Sequence, residues 1–426
     1  MSQSQAGQTG EVSRGLPVLI ACMVGMMFGI SAVPFYTLGI FAVPVMGEFE
    51  WTGAQYQGAF TFMLAGALAG PFTGWLCDKL GNRVVALTSI TLFSVAFAAI
   101  GVLTTQSIWS FYACWAVMAF VAQGTGPIPW TRAIGEWFYA RRGLALGIAL
   151  MGSGVAAFFL PPLTTAIIGA TGWRTTYMIL GAMIFCIAFP TVWWGLRRAP
   201  QWVLDDGASL RGGMSAQYGY SLGDALRSYR FWVIALAFSF ISLGVAGIIS
   251  NLVPLLVDRG FTPQLAAGFA AIIGASVILG RLVVGALLDR FWGPAIAFVL
   301  MALPAASCIL LASADLPLAL TGAAVFVVGF AAGAEFDIIA YFVTRYFGLK
   351  NYGKIYGVIY TIFFLGAGLA PMIFARVYDQ AQSYNPILLV SAGTFLFSAA
   401  LLLTLGRYPD HEADAAATPA LSPAAE

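Results

Sequence analysis

Charge is scarce in this chain: only 9% of its 426 residues are Asp, Glu, Lys or Arg, and 60% are hydrophobic. Water-soluble domains carry about a quarter charged residues, so a water-facing surface cannot be assembled here and lipid is the main solvent. Histidine is nearly missing. The single one, His411, stands in a polar tail, which excludes histidine-based catalysis, metal binding or proton relay inside the apolar segments. Cysteine pairing is missing too. Cys22, Cys77, Cys114, Cys186 and Cys308 fall in or beside apolar runs without the spacing of a metal site or disulfide framework. They read as small core residues. The formal charge of +2 comes without a basic patch, so there is no footprint for nucleic acid. With no nucleophile constellation, nucleotide loop or metal cluster, neither an enzyme nor a cofactor is expected.

What the chain does have is apolar runs of bilayer length, roughly 20 residues each. Bounded by charges, Gly or Pro, they cover 15–43, 54–76, 84–104, 108–132, 143–168 and 173–196, then 231–256, 265–288, 294–313, 317–343, 353–377 and 385–406. Between the two sets lies a polar stretch with Arg197, Arg198, Asp205, Asp206, Arg211, Asp224, Arg227 and Arg230. The expected organisation is an N-terminal segment at 1–14, a six-helix bundle at 15–196, a linker at 197–229, a second six-helix bundle at 230–406 and an Ala/Pro-rich tail at 407–426. This is an all-α membrane protein.

Positive charge gathers in cytoplasmic loops. With the N terminus inside, Arg14, Lys79, Arg83, Arg141, Arg142, Arg197, Arg198, Arg211, Arg227, Arg230, Arg290, Arg345, Lys350, Lys354 and Arg407 are cytoplasmic, and only Arg174, Arg259 and Arg376 lie outside. Both termini are therefore expected in the cytoplasm. Arg132 and Arg281 remain inside apolar runs and become candidates for function.

An internal repeat marks the two halves: Gly74-x-x-x-Asp78-Lys79 after the second run recurs as Gly285-x-x-x-Asp289-Arg290 after the eighth. Trp137-Phe138 and Tyr346-Phe347 precede the fifth and eleventh runs in the same way. Repeats of this kind place a substrate site between the halves, near mid-membrane.

The stretch Gly74-Trp-Leu-Cys-Asp78-Lys79-Leu-Gly81-Asn82-Arg83 resembles the signature of the major facilitator superfamily. That resemblance implies two pseudo-symmetric six-helix bundles working by alternating access, with Asp78 and Arg83 forming charge contacts that close the cytoplasmic side. Asp289 is the weaker copy. Tyr139-Ala-Arg141-Arg142-Gly-Leu144-Ala145-Leu-Gly147-Ile-Ala149-Leu-Met-Gly152-Ser153 resembles the helix-five signature of the monocarboxylate porters and their bacterial oxalate:formate relatives. Gly280-Arg281-Leu-Val-Val-Gly285 is similar to the arginine-bearing eighth helix of the same group. Its carriers place an acidic residue four positions before that arginine, where this chain has Val277, and the oxalate carriers add a lysine in helix eleven that has no counterpart here. The resemblance implies transport of a small organic anion at the cell inner membrane, with proton symport for import.

An arginine inside a membrane span faces a cavity or a carboxylate partner. Arg281 is therefore either the clamp for a substrate carboxylate, which its fork geometry suits, or a structural partner of Asp337 or Glu335. Those two carboxylates interrupt the tenth run and are the candidates for proton coupling, since burial disfavours the charged form of a carboxyl group. Two positions apart on a helix they project about 200° from each other, so one lines the pathway. Arg132 and Glu136, four residues apart, are expected to pair on one helix face near the gate. Tyr36, Tyr341, Tyr360 and Asn251 are candidate pocket residues, although aromatic side chains also form interface belts and core. One basic group favours a monocarboxylate, with room for an aromatic acid. The expected partners are that carboxylate, protons and lipid, and the expected state is a monomer. The alternative is efflux of a drug or metabolite by proton exchange, a role whose Gly-Pro motif in helix five is not met, because Gly154 is followed by Val155.

Overall fold

The computed structural model describes residues 3–139, 141–197, 219–313 and 316–409. Arg198, Asp205, Asp206 and Arg211 of the expected linker, and His411 with most of the tail, lie outside the described residues. Twelve membrane-crossing units are arranged as six plus six. In the first half, α1 is split into Gln3–Met27 and Val33–Phe49, and α2 into Gly53–Gly58, Thr61–Ala67 and Gly70–Leu80. Next, α3 spans Asn82–Leu103, and α4 runs as Ile108–Val121 and Pro127–Trp137 with a 3₁₀ turn, Ala122–Thr125, between. Then α5 is Arg142–Leu150 and Gly152–Thr171, and α6 is Trp173–Met183 and Phe189–Gly195 around a π turn, Ile184–Ala188. In the second half, α7 (Tyr229–Asp258), α8 (Pro263–Leu288), α9 (Gly293–Ala312), α10 (Leu318–Phe347), α11 (Tyr352–Ala381) and α12 (Asn385–Leu403) are continuous. The helices α3 to α12 are each long and apolar enough to cross a bilayer, and α1 and α2 are broken into shorter segments.

Most runs agree with the sequence reading, and the differences have local causes. The first helix begins at Gln3, inside the segment expected to precede it. Within the expected linker, Leu222–Arg227 is a short helix. Its cap is Ser221, whose hydroxyl accepts from the Asp224 backbone N–H at 3.2 Å and donates to the Asp224 carboxylate at 2.6 Å. The fourth span continues to Trp137, which places Arg132 and Glu136 within a helix. The breaks in α1 and α4 face each other. Ile30 donates its backbone N–H to Thr125 Oγ1 at 2.9 Å, and a Cβ on Gly29 would collide with the Thr125 carbonyl oxygen. Interrupted backbone at membrane depth is tolerated where a neighbouring helix satisfies the freed groups.

An even number of crossings brings both ends of the chain to one face, here the terminal face. Large apolar side chains such as Val43, Trp109 and Phe158 are 76%, 72% and 73% exposed, as expected of a surface in contact with lipid. Contacts between the halves join α2 to α11 and α5 to α8.

Candidate functional site

Two matching joints close the terminal face, each built from glycine and aspartate. Where α2 crosses α11, a Cβ on Gly74 would collide with the Gly353 carbonyl oxygen, so the backbones touch. One turn on, Asp78 accepts the backbone N–H groups of Gly353 at 3.1 Å and Lys354 at 3.0 Å. These are unpaired donors in the first turn of α11, and a carboxylate there is favoured by the helix dipole. Where α5 crosses α8, Gly143 and Gly285 make the same close approach. Asp289 accepts from Gly143 N at 2.6 Å and Leu144 N at 2.9 Å. Each half thus caps a helix of the other. Arg132 joins the first site, with Nη1 2.9 Å from Asp78 Oδ1 and Nε 3.1 Å from Glu136 Oε1.

One turn from Gly285, further into the membrane, α8 carries Arg281. The matching position in α2, one turn from Gly74, is Gly70. Arg281 is 3% exposed and Asp337 is 0% exposed, and Nη1 lies 3.4 Å from Asp337 Oδ1. Their helices pack through Gly329 and Gly333 of α10 against Ile273 and Val277 of α8, a stripe that continues one turn on to Asp337 and Arg281. The second amino group of Arg281 donates to Ser153 Oγ of α5 at 3.3 Å, across the boundary between the halves. Gly152 and Gly154 flank that serine and let α5 reach the α1 backbone at Met23 and the α8 side chain Ile278.

The surroundings are polar but underused. Arg281 Nε, Asp337 Oδ2, Glu335 Oε1 and the hydroxyl of Tyr356 are all buried without a hydrogen-bond partner. Buried polar atoms are nearly always paired, so such a cluster is the mark of a site built for something else to enter. Half-buried Tyr36, just past the α1 break, and Glu335 both interact electrostatically with Arg281. Tyr360 faces the α1 and α4 breaks beside Ser31 and Gly126, and its ring packs against Phe336 at 6.0 Å and Phe364 at 4.5 Å.

The sequence model of the Major Facilitator Superfamily matches residues 18–371. The chain belongs to this superfamily. Its fold agrees: it superposes on the Escherichia coli fucose:proton symporter FucP with a TM-score of 0.70 at 16% identity, covering 92% of this chain and 99% of that one. The chain is 29% identical to human monocarboxylate transporter 1 over 41% of its own length and 35% of the relative's. It is 26% identical to the oxalate:formate antiporter of Oxalobacter formigenes over 65% of its own length and 63% of that protein's. In both cases it spans less than two thirds of the relative. This superfamily member is a multi-pass membrane transporter and not an enzyme.

Within this transporter, the expected site residues separate into three places. Arg281, Asp337, Glu335, Tyr36 and Tyr360 come together at the centre, Asp78, Arg132 and Glu136 meet at one joint of the terminal face, and Asp289 lies in the other. Three expectations are corrected. Arg83 does not touch Asp78, whose oxygens are taken by Arg132 and two backbone N–H groups; it donates to the Trp193 carbonyl at 2.8 Å and lies over the Trp193 ring at 4.6 Å. There it complements the C-terminal end of α6. Tyr341 is not beside Arg281. One turn nearer the terminal face, it interacts with Tyr408, Arg345, Asp289 and Arg142, so it belongs with the joint between α5 and α8. Asn251 sits in the last two turns of α7, whereas Arg281 sits in the last two turns of the antiparallel α8, which puts them at opposite ends of the bundle. Its amide donates back to the Gly247 carbonyl at 2.9 Å. Ser153, Tyr352 and Tyr356 were missed as site residues. The tyrosines carried a signal, since positions 352, 356 and 360 repeat every four residues.

Proposed function

We propose that this protein is a secondary transporter of a small organic monocarboxylate, coupled to protons and working by alternating access across the cell inner membrane. The observation that carries this reading is Arg281: a buried guanidinium with an unused Nε edge, a long contact to Asp337 and orphaned polar atoms around it. A guanidinium fork matches one carboxylate. Arg281 binds the substrate carboxylate, with Tyr36 and Tyr360 lining the pocket. Asp337 takes and releases the proton, because it is the carboxylate that Arg281 contacts. Binding substrate draws Arg281 from Asp337 and frees that carboxylate for protonation. Likeness to monocarboxylate and oxalate:formate carriers supports the anion class.

The terminal face is the cytoplasmic one, given its basic loops, with Asp78, Arg132, Glu136 and Asp289 as its gate. The halves 15–196 and 230–406 move as two bodies joined by 197–229, and the transporter acts as a monomer. The test is a thermal-shift screen of the purified protein against lactate, benzoate, oxalate and uncharged analogues, because a ligand that binds only the folded state raises its stability. Stabilisation by monocarboxylates that Arg281→Ala abolishes is the expected result. Stabilisation by uncharged analogues alone would overturn the assignment.

A further inference from the structure

We propose that the hydroxyls of Tyr356 and Tyr352, in a stacked line of tyrosines that Tyr360 begins, carry the proton between Asp337 and the terminal face. This rests on the reading of Asp337 as the proton carrier. Four residues apart on α11, the three side chains share one face of the helix. Their rings stack in series: Tyr352 and Tyr356 have centroids 5.4 Å apart at 23°, and Tyr356 and Tyr360 6.3 Å apart at 23°. All three are at most 3% exposed.

Packing alone does not account for the hydroxyls. Where this helix needs only apolar volume it uses phenylalanine, as at Phe363, Phe364 and Phe374. A buried tyrosine normally finds a partner for its O–H, yet Tyr356 has none, and Tyr352 is beside only the Thr131 hydroxyl. Their ends are placed for transfer. Tyr356 interacts electrostatically with Asp337 and Arg281, and Tyr352 with Arg132 and Arg142 beside Thr131, in the layer of the Asp78 gate. Glu335 is the other carboxylate at the inner end, Asp78 and Glu136 at the outer.

Spacing suits the role as well. A rise of four residues is about 6 Å, close to two O–H···O hydrogen bonds end to end, so one water between successive hydroxyls completes a continuous chain. In each step an oxygen accepts one proton and gives up another, one O–H bond forming as one breaks. Asp337 passes from carboxylic acid to carboxylate, and water at the terminal face receives the proton. No electron is transferred.

The experiment needs no substrate. Purified protein in lipid is subjected to a pH jump while time-resolved infrared spectroscopy follows the carboxylic C=O band that Asp337→Asn removes. Tyr352→Phe and Tyr356→Phe delete only the hydroxyls. The expected result is a rate of band change slowed roughly tenfold or more with the same midpoint pH. An unchanged rate, or a midpoint that moves with the rate, would overturn the relay and leave these tyrosines a structural part. If no band titrates that Asp337→Asn removes, the failure belongs to the Asp337 reading itself, and the relay falls with it.

Discussion

Arg281 of α8 and Asp337 of α10 approach to 3.4 Å, well beyond the about 2.8 Å of a tight ion-paired hydrogen bond. A loose pair leaves the guanidinium able to change partners. Arg281→Ala and Arg281→Lys are expected to weaken carboxylate binding alike, by about 2 to 5 kcal/mol or thirtyfold and more, because an ammonium lacks the planar fork. Pairing Arg281→Ala with Asp337→Ala removes both buried charges and should restore the melting temperature without restoring affinity. Calorimetric binding and melting curves on single and double variants check this, and recovered affinity in the double variant would rule out the clamp.

The two carboxylates of α10 should behave differently. Asp337→Asn is expected to abolish uptake driven by a pH gradient while tracer exchange persists, since exchange needs no release of the proton. Glu335→Gln, a change at a residue with no hydrogen-bond contact to Arg281, should retain gradient-driven uptake to within about threefold. Proteoliposome flux measured in both modes decides between them.

Asp78→Asn keeps the shape of the cap but loses the charge that holds Arg132 and two backbone N–H groups. The variant should insert normally and turn over several-fold more slowly, with a charge-assisted hydrogen bond contributing about 1.5 to 3 kcal/mol. Cys77, fully buried beside the joint, should become reactive to maleimide in a background lacking the other four cysteines. Unaltered flux together with an unreactive Cys77 would show that the carboxylate does not hold the gate.

Gly74→Ala and Gly143→Ala place a methyl group against a backbone carbonyl of the opposite half. Neither backbone can yield as a flexible side chain would, so the terminal face should be prevented from closing. The expected outcome is a folded protein with markedly reduced transport and Cys77 exposed in both variants. Wild-type rates in either would mean that the halves tolerate a wider crossing.

Much of the fold was readable because bilayer thickness forces long apolar runs, and because breaks in those runs need charges, Gly or Pro. The pairing of Arg132 with Glu136 followed from helical spacing alone. Hidden from the sequence was everything set by packing between helices. That Arg83 would turn toward Trp193, or that the acceptors on Asp78 would be filled by backbone groups 275 and 276 residues away, depends on which helices become neighbours. Asn251 misled for a related reason: an amide in an apolar run has the same appearance whether it faces a substrate or bonds its own helix. Ser153 stood within the helix-five motif but gained meaning only when α8 was laid against it.

The two joints and the central arginine differ in symmetry. Gly74 with Asp78 and Gly285 with Asp289 repeat one motif and make the same contacts in the two halves, whereas the positions one turn deeper differ, Gly70 in one and Arg281 in the other. Each gate position has a twin in the other half, but the two cap different helices, so neither stands in for the other. The position of Arg281 has no such twin. Under the role proposed for Arg281, single substitutions around that one helix would alter the site without touching either joint.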